Sequence, residues 1–113
     1  MLQKDYPVVL PDYILTLEEL SPENCLFFDI ETTGLSWKTS HLYLLGAVFY
    51  ENETWIHRQW FCQKPGEEKE VLLAFSELLS TKKLLFHYNG TTFDVPYLMH
   101  KYTFYQLPSP WEG

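Results

Sequence analysis

The sequence predicts an α/β domain: a mixed sheet made of a three-stranded antiparallel meander, a crossover helix, a parallel fourth strand and a second helix. Three observations carry this. Residues 25–30, CLFFDI, form an apolar run too short for a helix and rich in strand formers. Residues 41–50 and 53–62 are two more strand-like runs, separated only by Glu51 and Asn52, and so short a link favours an antiparallel hairpin. After Pro65 the texture changes to GEEKEVLLAFSELLST, with Val71, Leu72, Phe75, Leu78 and Leu79 at helical spacing.

Taken in order, residues 1–24 read as an extended lead-in, interrupted by Pro7 and Pro11, with a short helical turn around Thr16 to Leu20, where Thr16 and Glu19 have capping-box spacing. CLFFDI then suits a strand buried on both faces. The loop ETTGLSWKTS follows it, and the hairpin follows the loop. The helix after Pro65 runs about four turns, its first turn rich in acids that the helix dipole favours. Residues 84–88 are strand-like, and Asn89 and Gly90 end them before a second helix over 92–102, with Pro96 in the first turn, where its missing N–H costs least. A meander followed by one crossover helix implies a mixed sheet with helices packed on it.

At 113 residues the chain has room for one core. Hydrophobic residues make up 46% and aromatics 18%, which offsets the entropy of ordering and excludes overall disorder. Eight basic residues face fifteen acidic ones, for a net charge of -7, and Arg58 is the only arginine. Bulk electrostatics would not attract a polyanion, so nucleic-acid binding would need bound cations or local chemistry. Charges and prolines interrupt every hydrophobic run, so no membrane span is expected; the N-terminal residues lack a signal-peptide pattern and imply a cytoplasmic chain. Cys25 and Cys62 fit no CxxC or Cys/His spacing and read as two reduced, mostly buried thiols.

Two acidic motifs could carry chemistry. Asp29 and Glu31 stand two apart on a predicted strand, hence on one face and about 6.6 Å apart along it. Paired carboxylates beside an apolar core repel one another unless a positive charge intervenes, and an oxygen-rich site suits Mg²⁺ or Mn²⁺. The bland alternative makes Asp29 a turn cap and Glu31 a solvated acid. The second motif, Asn89-Gly90-Thr91-Thr92-Phe93-Asp94, spans a strand end and a helix start. Alone it reads as a turn, a core phenylalanine and a dipole partner. Both motifs follow strands that a crossover helix can place side by side and parallel, which lets their carboxylates converge where the strands end.

LFFDIETTGL resembles the first motif of the DEDD-type 3′-to-5′ exonucleases, and HYNGTTFDVPYL resembles their second, in the form found in the YprB-like group of ribonuclease-H-like domains. The resemblance runs from Leu26 to Leu98 and includes the order of strands and helices. It implies a ribonuclease-H-like fold whose first strand is central, flanked by the second strand and by the one ending at Tyr88. It also implies a metal-dependent nuclease that binds nucleic acid at a single-stranded end and uses two divalent ions, Mg²⁺ or Mn²⁺. Carried over residue by residue, Asp29 would contact both ions, Glu31 the one that activates water, and Asp94 the one that stabilises the leaving 3′ oxygen. Asn89 and Phe93 match the flanking positions of the second motif. Thr32 and Gly34 would face the terminal nucleotide, with Leu35 as a wedge against a base.

The departure is a third motif, a Tyr or His followed by a last Asp, which the family carries on a further helix. Glu112 and the Tyr102 to Gln106 segment do not replace it. Residues 25–113 are therefore expected to be a partial ribonuclease-H-like domain from a longer chain, with a four-strand core whose exposed edge favours a homodimer. The alternative function is a catalytically incomplete nuclease-like fragment or binding module. Trp37 reads either as a base-stacking residue or as a loop tryptophan folded on the core. Trp55 and Trp60 read as packing or partly exposed edge residues, Lys82 and Lys83 as too small a basic cluster for nucleic acid, and His57 and His87 as structural histidines on strands; none of the four scattered histidines, His41 and His100 included, is expected to be catalytic.

Overall fold

The computed structural model describes residues 1–9, 25–81, 84–87 and 93–110. Five strands form one sheet: β1 (Leu2–Val8), β2 (Cys25–Thr32), β3 (Leu42–Glu51), β4 (Thr54–Phe61) and β5 (Leu84–His87), in the order β1-β4-β3-β2-β5. A 3-10 turn at Pro65–Glu67 leads into helix α1 (Glu68–Leu79), and helix α2 (Val95–Phe104) follows β5. The β2–β3, β3–β4 and β1–β4 pairs are antiparallel and the β2–β5 pair is parallel. The meander, the crossover helix and the parallel strand are therefore those the sequence predicts, with β2 between β3 and β5.

Three details differ from expectation. The sheet has a fifth strand, because Leu2–Val8 pairs along the outer side of β4 from Leu2↔Phe61 to Val8↔Trp55. Pro7 is tolerated there because an edge strand has one side with no ladder to donate to. Arg58 fastens the pairing with two parallel bonds, Nε and Nη2 each donating to an Asp5 carboxylate oxygen at 2.8 Å. Second, β2 is buried on one face only: Leu26, Phe28 and Ile30 are sealed, while Asp29 and Glu31 are exposed. The hydrophobic run reads as doubly buried because Phe27, on the outer face, is apolar too; its ring meets Trp55 at 6.3 Å. Third, the hairpin turn is Asn52–Glu53, between paired Glu51 and Thr54, and both turn residues adopt positive φ, 52° and 64°. That is the backbone a two-residue hairpin needs to match strand twist.

Both helices pack on the Leu26/Phe28/Ile30 face. Phe75 of α1 lies 5.2 Å from Phe28 and 6.4 Å from Trp60, ring centre to ring centre. The Tyr102 hydroxyl of α2 donates to the Leu72 carbonyl at 2.7 Å, which ties the helices to each other. Pro96 lies in the first turn of α2, as expected. The helical turn expected at Thr16 to Leu20, the Lys82-Lys83 pair and Glu112 lie outside the described residues. Among the described residues no helix is long and apolar enough to cross a membrane.

Candidate functional site

The site forms where β5 stops. Its parallel pairing with β2 ends at Phe28↔His87, so among the described residues β2 has no strand beside it on that side from Asp29 onward. The start of α2 fills the space. Asp94, the residue before α2, turns its carboxylate inward and accepts a hydrogen bond from the Ile30 N–H that β5 leaves free. The residue is 3% exposed, and its Oδ2 is sealed from solvent with no hydrogen-bond partner. Burial, then the neighbouring Asp29 charge, then Glu31 push its pKa from 3.8 up to about 6, against the opposing pull of the Ile30 N–H. An orphaned buried carboxylate oxygen next to two further carboxylates is costly for the bare protein.

Asp29 and Glu31 lie on the outer face of β2, as their spacing predicts, and a register shift follows Glu31. Among the described residues no ion pair reaches either acid or Asp94. Arg58 is committed to Asp5, and the Lys101 ammonium to Glu68 at 3.0 Å. Nor do any three described acid, histidine or cysteine side chains gather closely enough to cage a metal ion as they stand. The donor set is nonetheless all oxygen and strongly negative, which fits a hard divalent cation.

The loop from Thr33 to His41 borders this site and is braced at both ends. Its ends close on each other: the Thr33 N–H donates to the His41 carbonyl at 2.9 Å, and the His41 N–H to Thr33 Oγ1 at 2.8 Å. The Thr32 hydroxyl donates to the Gly34 carbonyl at 2.7 Å, and Leu35 stands 86% exposed at the loop tip. Residues 97, 100 and 101 of α2, one face of the helix, hold the loop's far side. Ser40 Oγ and Tyr97 Oη are 2.9 Å apart, and Lys101 Nζ donates to the Ser40 carbonyl at 3.0 Å. Trp37 stacks flat on His100 at 5.1 Å with 5° between the rings. Of its two readings, the folded-down tryptophan is the one observed.

Beneath the loop lies a buried polar knot that sequence reasoning missed. Glu68, the first residue of α1, accepts from Lys101, from the Leu42 N–H at 2.8 Å and from the Tyr105 hydroxyl at 2.6 Å. In sequence, Glu68 is one of three acids in a run that suggests only a solvated first turn. Phe93 packs on Tyr97 at 5.3 Å on the core side. Asn89 lies outside the described residues, as do the side chains of Cys25 and His87. Cys62 is free and half-buried, its thiol pushed up to about 11 by burial and by Glu68 and Glu67 nearby.

An α/β sheet with a central strand ending in two acids, and a third acid brought to it by the helix after the parallel strand, defines a ribonuclease-H-like domain. The family model described as the RNase_H superfamily matches residues 26–112, and the chain belongs to that superfamily. Among curated proteins it is similar to "Uncharacterized protein YprB" of Bacillus subtilis (strain 168), with 32% identity over 93 residues. The match covers 80% of this chain, which spans 22% of that relative's length. The superfamily points to nuclease-type chemistry and nucleic-acid binding in general, and to divalent metals as its usual cofactors.

Proposed function

We propose that the chain is a metal-dependent nuclease domain that hydrolyses phosphodiester bonds of DNA or RNA, as a 3′-to-5′ exonuclease on single-stranded ends. The observation that carries this reading is Asp94: a buried, unpartnered carboxylate oxygen held beside Asp29 and Glu31 where two parallel strands end. Asp29, Glu31 and Asp94 would hold the ions, Mg²⁺ or Mn²⁺. When bound, such ions supply an activated water and neutralise the charge that develops on the phosphate and the leaving oxygen. Asp94 contributes a fixed ligand, because α2 and the Ile30 N–H hold it. Asp29 and Glu31, being exposed, keep the freedom to close on it once their mutual repulsion is neutralised. Thr32 and Gly34 shape the backbone that faces the terminal nucleotide, and Leu35 presents an apolar side chain to its base. The reaction adds water across the P–O3′ bond, leaving a 5′-phosphate on one fragment and a 3′-hydroxyl on the other.

The second reading is a catalytically incomplete nuclease-like module that binds without turnover. Mn²⁺-dependent degradation of end-labelled single-stranded DNA and RNA separates the two, with Asp29→Ala as the control. The nuclease reading expects a ladder of products that Asp29→Ala abolishes. A chain that binds Mn²⁺ and cuts neither substrate contradicts it.

A further inference from the structure

His57 has no place in the site described so far, yet the sheet brings it there. Register places Phe27 opposite Val48 and Asp29 opposite Gly46 across β2 and β3, and places Val48 opposite His57 and Gly46 opposite Gln59 across β3 and β4. Paired residues share a face, so Asp29, Glu31, Gly46 and His57 all belong to the face opposite the helices. Gly46 stands between the acid and the imidazole. The His57 ring leans into the space its missing side chain leaves: a Cβ at Gly46 would lie 3.1 Å from His57 Nε2 and 4.0 Å from the Asp29 carbonyl oxygen. Directly opposed residues carry their Cβ atoms about 5 Å apart, so Nε2 lies within about 8 Å of the Asp29 Cβ. That bound puts imidazole and carboxylate within the span of one hydrogen-bonded oxyanion.

The ring is also uncommitted. It is half-buried, and among the described residues it has no hydrogen-bond or ion-pair partner. The cationic side chains Arg58, Lys101 and Lys4 are spent or distant: Arg58 projects to the opposite face and is held by Asp5, Lys101 is buried with Glu68, and Lys4 lies over Phe61 on the far side of β4; the Gln59 amide, opposite Gly46, is a neutral donor on the same face. A phosphate brought beside three carboxylates needs a donor as well as cations, and the His57 imidazole, leaning over Gly46, is placed to provide one.

Resting on the nuclease reading above, we infer that His57 is a substrate-binding residue of the same site, its Nε2 donating a hydrogen bond to the phosphate held beside Asp29. The test uses the full ¹⁵N-labelled chain, with deoxythymidine monophosphate and Mg²⁺ as the probe. The His57 Nε2 resonance should move saturably with the nucleotide, in step with the Asp29 and Glu31 amides, and should not move with thymidine. His57→Phe should weaken nucleotide binding about tenfold, the scale of one charge-assisted hydrogen bond. His57→Gln, which keeps an N–H donor, should restore most of it, which a purely structural role would not predict. Gly46→Ala keeps the imidazole but crowds it by a few tenths of an ångström, and should weaken binding by less. Movement of the Asp29 and Glu31 amides with His57 Nε2 unmoved would overturn the assignment and leave the nuclease reading standing. Movement of Nε2 with Mg²⁺ alone would overturn it in favour of a metal ligand. No response of any of these groups to the nucleotide would overturn both.

Discussion

Replacing Asp94 with asparagine should stabilise the metal-free chain at neutral pH, although it removes a residue of the site. In the folded state Asp94 titrates near 6 instead of 3.8, so between those values the folded chain holds a proton that the unfolded chain has lost. Stability must therefore fall as pH rises through that window, with the full penalty present above about pH 6. A displacement of that size corresponds to about 3 kcal/mol. Its electrostatic part comes from the exposed carboxylates of Asp29 and Glu31, whose repulsion solvent screens, so a realistic figure is about 1–2 kcal/mol. Asparagine keeps an acceptor for the Ile30 N–H and carries no charge. Urea unfolding of both chains in EDTA should show Asp94→Asn ahead by that amount at pH 8, with the advantage shrinking as pH falls through the window and gone below the unfolded value of 3.8. An advantage as large below the unfolded value of 3.8 as at pH 8, or a loss at pH 8, would refute the reasoning. With Mg²⁺ present at pH 8 the order should narrow or reverse, because a bound cation stabilises only the ionised site.

Two further outcomes follow from backbone and burial. Glu53 holds φ at 64° in the hairpin turn, so Glu53→Gly should stabilise the fold by about 1 kcal/mol, read as a higher urea midpoint with unchanged slope; a lower midpoint would show that the side chain matters more than the strain. Lys101→Met leaves the 3%-exposed Glu68 carboxylate without its counter-charge and should cost about 3–5 kcal/mol, while adding Glu68→Gln should recover much of that loss; equal stability of the single and double variants would contradict the pairing.

The sequence made the sheet's centre legible and its margins opaque. Alternation, the short hairpin link and the helical spacing from Val71 to Leu79 report local geometry directly, so the meander and α1 could be read. β1 could not, because its burial pattern is almost wholly exposed and its place depends on pairing with a strand more than forty residues away. The two acidic motifs were readable as a pair because strand ends bring them together. Asp94's burial was not, since it depends on β5 ending two residues short of the Ile30 N–H. The Glu68–Lys101 knot and the His57–Gly46 contact were invisible for the same reason: each joins residues that only tertiary packing makes neighbours. His57 looked like one scattered histidine among four, and the signal that places it is the glycine opposite Asp29.

The central claim is that three carboxylates from two separate motifs form one cation site. Mn²⁺ titration by calorimetry at pH 7.5, on the unaltered chain and on Asp29→Ala, Glu31→Ala and Asp94→Asn, tests it most directly. The account predicts saturable binding by the unaltered chain and a loss of about tenfold or more in each variant. Undiminished Mn²⁺ affinity in Asp94→Asn would contradict it, because the buried carboxylate would then hold no cation.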